Sequence, residues 1–431
     1  MVFNSIPLSW SRITGTVFLY LLSLVVHRLF WHPLARFPGP KLAAVKRYVE
    51  AHYDLVCNGQ YTFKISEMHK KYGPIIRISP HELHISDASF FEKLFSRDSH
   101  WDKYTWSYDA FGADLSTICA PDHYVHRRRR APLSTFLSKL CHRLDDFTES
   151  NRSTDSARLK LGTAISAFTR DVATEYLFGH IRCYGWVMKS LPLSLVERLS
   201  DENGKAFLDM FCLTTDIHSA SANKTQGTDS PHTTRCFDEV ITGSGAAFET
   251  TAHSIRHIPG NLRNELATAK AKTFTQSLRL ADLEQLLYLT AVMMKGLRLA
   301  PAVANRQALV APDRDLFYKP WTIPAETPVG MTTILMHRDP ILYPNPEQFN
   351  PERWMDIDGR RKAEKLCAPF SKGTRTCVGM QALYGRYCFI PRYDLSFDDE
   401  TYEDTMWTSD QFIIGTSGKG GLSTTVKKVD V

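Results

Sequence analysis

A mainly α fold with small β-sheets, an α+β architecture, is predicted by three features of the sequence. Long stretches read as helices, notably from Phe63 to Tyr72, from Phe237 to Ile258 and from Leu286 to Leu299. Strand-like alternation is confined to short runs such as Ile75-Ile76-Arg77-Ile78 and His84-Ile85-Ser86-Asp87. The 431 residues, 43% hydrophobic and 11% aromatic, are ample for one large core, and no long low-complexity span interrupts them.

The first element is apolar from Ile13 to Val26 and continues into Leu29-Phe30-Trp31, whose aromatics suit a membrane interface. No small-residue cleavage site follows, as a removable signal peptide would need. Instead His27, Arg28, Arg36, Lys41, Lys46 and Arg47 flank it, with only Arg12 before it, so the positive-inside rule places the downstream chain in the cytosol. Residues 1–33 are expected to form a single N-terminal membrane anchor and 34–431 one catalytic domain, with Pro38-Gly39-Pro40 turning the chain between them. The sequons at Asn151 and Asn223 then stay unused. Gly73-Pro74 ends the Phe63 to Tyr72 helix, the two short strands follow, and a further helix is expected from Phe90 to Phe95.

Nine cysteines with no C-x-x-C pair argue against a zinc site or a disulfide framework and for a reducing compartment. The net charge of +6 and pI near 8.7 suit acidic partners or anionic lipid better than nucleic acid. His126-Arg127-Arg128-Arg129-Arg130 agrees: adjacent arginines on a helix spread over all sides, and no aromatics interleave for base stacking. No nucleic-acid partner is expected. In the Phe237 to Ile258 helix, about 33 Å long at 1.5 Å per residue, Gly243, Gly245, Ala246 and Ala247 permit close approach by a flat ligand. Glu249-Thr250 then sets an acid beside a hydroxyl, a pairing suited to proton relay. The amphipathic Leu286 to Leu299 helix ends at Pro301, and Trp321 to Ile323, Thr327 to Leu335, His337-Arg338-Asp339-Pro340 and Phe349 to Trp354 follow.

Near the C-terminus the chain reads Pro369-Phe370-Ser371-Lys372-Gly373-Thr374-Arg375-Thr376-Cys377-Val378-Gly379. Gly373 allows a tight turn, Arg375 sets a fixed cation two residues before the sulfur, and Gly379 leaves room for a flat group. Helical character from Val378 to Ile390 places the sulfur just before a helix N-terminus, where a thiolate is favoured. These are conditions for a metal-binding thiolate. The pattern Phe-x-x-Gly-x-Arg-x-Cys-x-Gly resembles the haem-ligating loop of the cytochrome P450 superfamily.

That resemblance implies a P450-like haem-thiolate fold with haem b, its iron held by Cys377, and Phe370, Arg375 and Gly379 on the cofactor side. By likeness to the family's C helix, His126 and Arg129 reach a haem propionate, with Arg130 as the alternative and Arg306 as a second contact. The run Gly245 to Thr251 resembles the oxygen-activation motif, which makes Glu249 and Thr250 catalytic, with Ala247 where a second glycine is usual. Arg298 and Arg353 fall on matching positions, and Ala302, Val303 and Ala304 on the substrate side. The implied function is O2-dependent oxidation of an apolar small molecule, with electrons from NADPH–cytochrome P450 reductase at the endoplasmic reticulum membrane. General likeness is to fungal members of secondary metabolism that act on terpenoid or mycotoxin-like compounds, including trichodiene-oxygenase-like proteins.

Two departures set an alternative beside this reading. The family's Glu-x-x-Arg is here Lys295-Gly296-Leu297-Arg298. A buried acid between two arginines becomes a third cation, and breaking such a pair costs about 3–5 kcal/mol unless Lys295 snorkels outward. The chain is also short internally, around 179–195, after Thr251 and beyond Cys377. The alternative is a non-catalytic or haem-deficient relative.

Overall fold

The computed structural model describes residues 10–97, 99–109, 112–131, 157–160, 287–299, 303–355, 365–380, 393–397, 407–411, 413–416 and 423–428. Two compact units divide it. Unit one takes the chain up to Leu94, His100–Asp102 and Arg306–Thr332; unit two takes Phe95–Ser99, Lys103–Asn305 and Thr333 onward.

Unit one begins with helix α1 (Trp10–Val26), which runs through a π-helical turn at His27–Trp31. From Trp10 to Trp31 it is the one helix among the described residues long and apolar enough to cross a membrane, and none of its residues is buried. The chain then forms α2 (Lys41–Val45), α3 (Tyr48–Ala51), α4 (Tyr61–Tyr72), strands β1 (Ile75–Arg77) and β2 (Leu83–Ile85), and α5 (Ala88–Leu94). Gly73 ends α4 with φ 98°, as the Gly-Pro signal predicts. After β3 (Asp102–Lys103), unit one regains β5 (Leu309–Val310), β6 (Leu316–Tyr318), β7 (Trp321–Ile323) and β8 (Val329–Gly330). Strand β1 pairs antiparallel with β2 in the register Ile75–Ile85, β2 pairs parallel with β8, and β8 antiparallel with β5.

Both faces of β1 and β2 are buried, whereas alternation alone predicts a polar face in water. The polar members are satisfied instead. Arg77, 2% exposed, donates to the Arg28 carbonyl at 2.8 Å and the Pro80 carbonyl at 2.7 Å. His84 joins a buried chain: His69 Nδ1 donates to the Gly73 carbonyl at 2.8 Å, its Nε2 lies 2.7 Å from His84 Nδ1, and His84 Nε2 lies 2.9 Å from the Thr332 hydroxyl. A carbonyl only accepts, so with both rings neutral each link has one donor. Burial holds both histidines below the usual range.

Arg306 sits in the same unit, with Nε 2.9 Å from Glu82 and Nη2 2.5 Å from Glu50. The Glu82 side chain is fully buried, so its charge depends on that guanidinium. Glu82→Gln is expected to cost about 3–5 kcal/mol by leaving Arg306 with one acid, measurable as a lower urea midpoint.

Unit two contains helix α6 (123–131), α7 (Leu287–Leu299) and α8 (Thr333–His337). Its strands are β4 (Ala157–Lys160), β9 (Tyr393–Phe397), β10 (Trp407–Gln411), β11 (Ile413–Thr416) and β12 (Ser423–Lys428). Strand β12 pairs antiparallel with both β4 and β9, and β10 pairs with β11 as a hairpin. The α7 helix packs against the 3-10 turn Pro351–Trp354 through a cluster of Ala291, Tyr343, Trp354 and Cys367. Cys57, Cys119, Cys367 and Cys377 are free thiols.

Candidate functional site

The Cys377 loop is built by its own backbone. The Cys377 N–H donates to the Phe370 carbonyl at 2.9 Å and Ser371 N–H to Ala368 at 3.0 Å, closing the loop at its neck. Between them Gly373–Arg375 makes one 3-10 turn, with Thr376 Oγ1 donating to the Gly373 carbonyl at 2.8 Å. Gly373 has φ 71°, and a Cβ there would lie 2.5 Å from the Phe95 carbonyl oxygen. Gly373→Ala therefore strains the backbone and forces the loop off that carbonyl. The expected result is a loss of about 2–4 kcal/mol with the loop displaced, seen as a lower unfolding midpoint together with faster labelling of Cys377.

Cys377 is exposed although surrounded by chain. Its surroundings withhold solvation and raise the thiol pKa, while the Gly379 N–H, 3.4 Å from Sγ, the Arg130 guanidinium and the Met380 N–H act to lower it. A Cβ at Gly379 would lie 3.8 Å from the sulfur with nothing else among the described residues within 4 Å, so glycine keeps a side chain out of the space beside Sγ.

Basic groups gather near the sulfur. Arg375 donates to the carbonyls of Ala120 at 2.9 Å and Pro121 at 2.7 Å, which pins the loop to the turn before α6. Lys103 shares that turn, with Nζ 2.6 Å from the Ile118 carbonyl and 4.0 Å above the Tyr108 ring. Burial, helped by Arg375, pushes Lys103 down to about 7. His126 is 4% exposed and is pushed to about 3 by burial and by Arg375, Lys103, Arg130 and His123. Mutual depression of this kind marks a basin of positive potential.

Of the arginine run, Arg127 and Arg128 face water. His126 and Arg130 stand i, i+4 on one helix face, and the charge of Arg130 acts on Cys377. Arg129, expected beside the cofactor, instead donates at 3.3 Å to each of the carbonyls of Asp114 and Ser116, so the alternative Arg130 is the one placed with the sulfur. Arg306 is held in unit one by its two glutamates, which occupy Nε and Nη2. Glu249, Thr250, Ala247 and Ala302 lie outside the described residues. Ala304 is fully buried and Val303 half-buried.

Two contributors escape a reading of the sequence. Lys103 stands in an ordinary aromatic stretch with no motif to mark it. His337 accepts the Ala368 N–H on Nε2 at 2.9 Å while its own carbonyl accepts from Arg298, which ties the loop neck to α7. Arg298 also donates to the Pro346 carbonyl, and it lies 4.8 Å above the Tyr343 ring. Arg353 donates to the Pro344 carbonyl at 2.5 Å and lies 5.8 Å above the same ring. Lys295 does not snorkel: it is 0% exposed, and its Nζ has no partner among the described residues. Burial, with Arg298 and Arg353, pushes it down to about 7.

A thiol at the tip of a glycine-turned loop, in a basic basin on a mainly helical body with small sheets, defines a protein that presents cysteine sulfur to a large anionic cofactor. The comparisons narrow this class. Residues 187–382 match the family model for cytochrome P450. The chain is 31% identical to tryptophan 6-hydroxylase fscE of Fusarium equiseti, over 85% of this chain and 86% of that protein. It is 30% identical to N-acetyltryptophan 6-hydroxylase ivoC of Emericella nidulans, over 94% of each. Among solved structures, the retinoic acid-bound cyanobacterial CYP120A1 superposes with a TM-score of 0.61 at 17% identity, covering 86% of this chain and 95% of that one. The chain belongs to the cytochrome P450 family. The family's chemistry is monooxygenation of small molecules by a cysteine-ligated haem served by a redox partner. The alignment with fscE is 444 positions long, more than the 431 residues of the chain, so this chain carries gaps opposite its relative.

Proposed function

We propose that the chain is a monooxygenase of fungal secondary metabolism that inserts oxygen into a largely apolar molecule, with haem b bound by Cys377. The observation that carries this reading is the accessible sulfur beside the Gly379 N–H and the Arg130 charge. The residues present fit haem: the thiol is the iron ligand, Gly379 leaves space for the macrocycle, Arg130, Arg375 and Lys103 supply positive charge for its carboxylates, and neutral His126 offers a ring N–H. Bound there, thiolate-ligated haem supplies the oxygen chemistry. The chain's own work is to hold the sulfur at the loop tip beside the Gly379 N–H and the Arg130 charge and, through Glu249 and Thr250, to deliver protons. Arg375 holds the loop in place through its two carbonyl partners.

Residues 1–33 are the single anchor of a cytosolic domain, 34–431, on the endoplasmic reticulum membrane, with NADPH–cytochrome P450 reductase as the electron donor. The exposed Trp10–Trp31 helix supports this. Terpenoids head the substrate panel, and the names of two relatives place tryptophan derivatives beside them.

Buried Lys295 favours a second reading, a relative that holds haem poorly or not at all. One experiment separates the two. The full chain is expressed, and the spectrum of its reduced carbon monoxide adduct is recorded, followed by turnover with NADPH and reductase. A thiolate-type band and reductase-dependent product support the enzyme, whereas a chain without bound haem supports the second reading.

A further inference from the structure

We propose that Lys295, Arg298 and Arg353 form a buried site in unit two for a small monovalent anion, of the size of chloride or formate. The donors are already oriented. Arg298 is fixed through its two Nη atoms by the carbonyls of His337 and Pro346, and Arg353 through Nη2 by that of Pro344. Both guanidinium groups stand against the Tyr343 ring, at 4.8 and 5.8 Å, and the charge of Arg353 acts on both Lys295 and Arg298. Their remaining nitrogens, Arg298 Nε and Arg353 Nη1, are buried without an acceptor among the described residues, as are Lys295 Nζ and the neighbouring Trp354 Nε1. Lys295 and Arg298 are each 0% exposed.

Such unmatched donors around a concentrated positive charge are costly, and an anion that accepts from them relieves both costs at once. Among the described residues there is no adequate substitute. Glu347 is the carboxylate whose charge reaches Lys295 and Arg298, but its side chain is 46% exposed and it stands 3.7 Å from Arg338. The buried apolar cluster of Ala291, Tyr343, Trp354 and Cys367 includes the ring that both arginines stand against, and apolar surroundings favour a small, weakly hydrated ion. A planar carboxylate such as formate also matches the guanidinium fork. Lys295 faces Arg298 on its own helix, and Arg353, Glu347 and Cys367 from other segments, so protonation of Lys295 and anion uptake favour each other.

The test is thermal unfolding of the full chain in detergent, in sodium chloride, formate or gluconate at fixed ionic strength. At pH 6.5, chloride or formate is expected to raise the midpoint saturably by about 2–4 °C over gluconate, which is too large to enter. The gain is expected to shrink at pH 9 and to vanish in Lys295→Glu, whose own carboxylate occupies the donors. Equal midpoints in the three salts for the wild type, or the same gain in Lys295→Glu, would overturn the proposal. Should Lys295→Glu fail to fold, Lys295→Gln keeps both arginines, and its formate gain is expected to be equal at pH 6.5 and 9. A wild-type pH dependence in that variant would overturn it too.

Discussion

Replacing Cys377 by serine is expected to abolish the thiolate-type band of the reduced carbon monoxide adduct and to lower reductase-supported turnover by on the order of 100-fold or more. The reason is ionisation. Withheld solvation raises the thiol pKa, the Gly379 and Met380 amides and the charge of Arg130 offset this only in part, and a thiol still loses its proton on binding a metal. A serine hydroxyl starts far higher and is not ionised by the same three groups, so it presents a neutral oxygen. The substitution leaves the backbone loop intact, because Cys377 contributes its N–H, not its sulfur, to the bond with Phe370. Unchanged thermal stability beside a lost spectrum is therefore the expected pair of results. Retention of the band would refute the assignment of Cys377.

Stability itself is expected to rise with pH above neutrality, and one of the two origins of the effect, beside Lys103, is Lys295. Its folded pKa is pushed from the ordinary 10.5 down to about 7. Between those values the unfolded chain holds a proton that the folded chain has shed, so raising the pH removes a stabilisation of the unfolded state. Its contribution is complete above about 10.5 and is lost as pH falls to about 7. The slope within that window approaches roughly 1.4 kcal/mol per pH unit for a single proton. Urea midpoints measured at pH 7, 8 and 9 should climb in the wild type, and the climb should become shallower in Lys295→Met without vanishing, because Lys103 still sheds its proton in the folded chain. Lys295→Glu is expected to gain about 3–5 kcal/mol at pH 7, since a carboxylate among Arg298 and Arg353 restores the missing acceptor. If Lys295→Glu is no more stable than the wild type, the cation cluster is not a source of instability.

The loop was readable because its constraints are local. Gly373, Arg375 and Cys377 act within a few residues of one another, and a fixed spacing records that. Helix limits also survived well: the stretch expected from Phe63 to Tyr72 is observed as Tyr61–Tyr72, and that from Leu286 to Leu299 as Leu287–Leu299. What sequence could not supply is burial imposed by distant chain. Arg77 and His84 read as the wet face of a strand, yet tertiary contacts cover them and backbone carbonyls or a second histidine satisfy them. Lys295 has the stem to reach water, and the sequence left open whether it snorkels or stays buried as a third cation; dense packing around α7 denies the route outward. Arg306 was assigned by likeness to a propionate, while Glu50 and Glu82 lie 256 and 224 residues away in sequence and leave no local trace. The choice between Arg129 and Arg130 turned on one step of helical phase, about 100°, which is beyond what a run of four arginines can record.

The contacts of Arg77 also change how the N-terminal segment should be cut or grafted. Arg77 grips the carbonyl of Arg28 while Arg28 itself donates to the Val45 carbonyl at 2.5 Å, and the Arg77 N–H binds the Pro38 carbonyl at 2.7 Å. The Pro-Gly-Pro stretch is thus a bracket bolted to the first strand, not a slack tether. Truncation before His27 should spare that bracket and yield a chain with its sheet edge intact. Truncation at Pro40, though it removes only a dozen more residues or so, would strip Arg77 of a carbonyl and a backbone partner together.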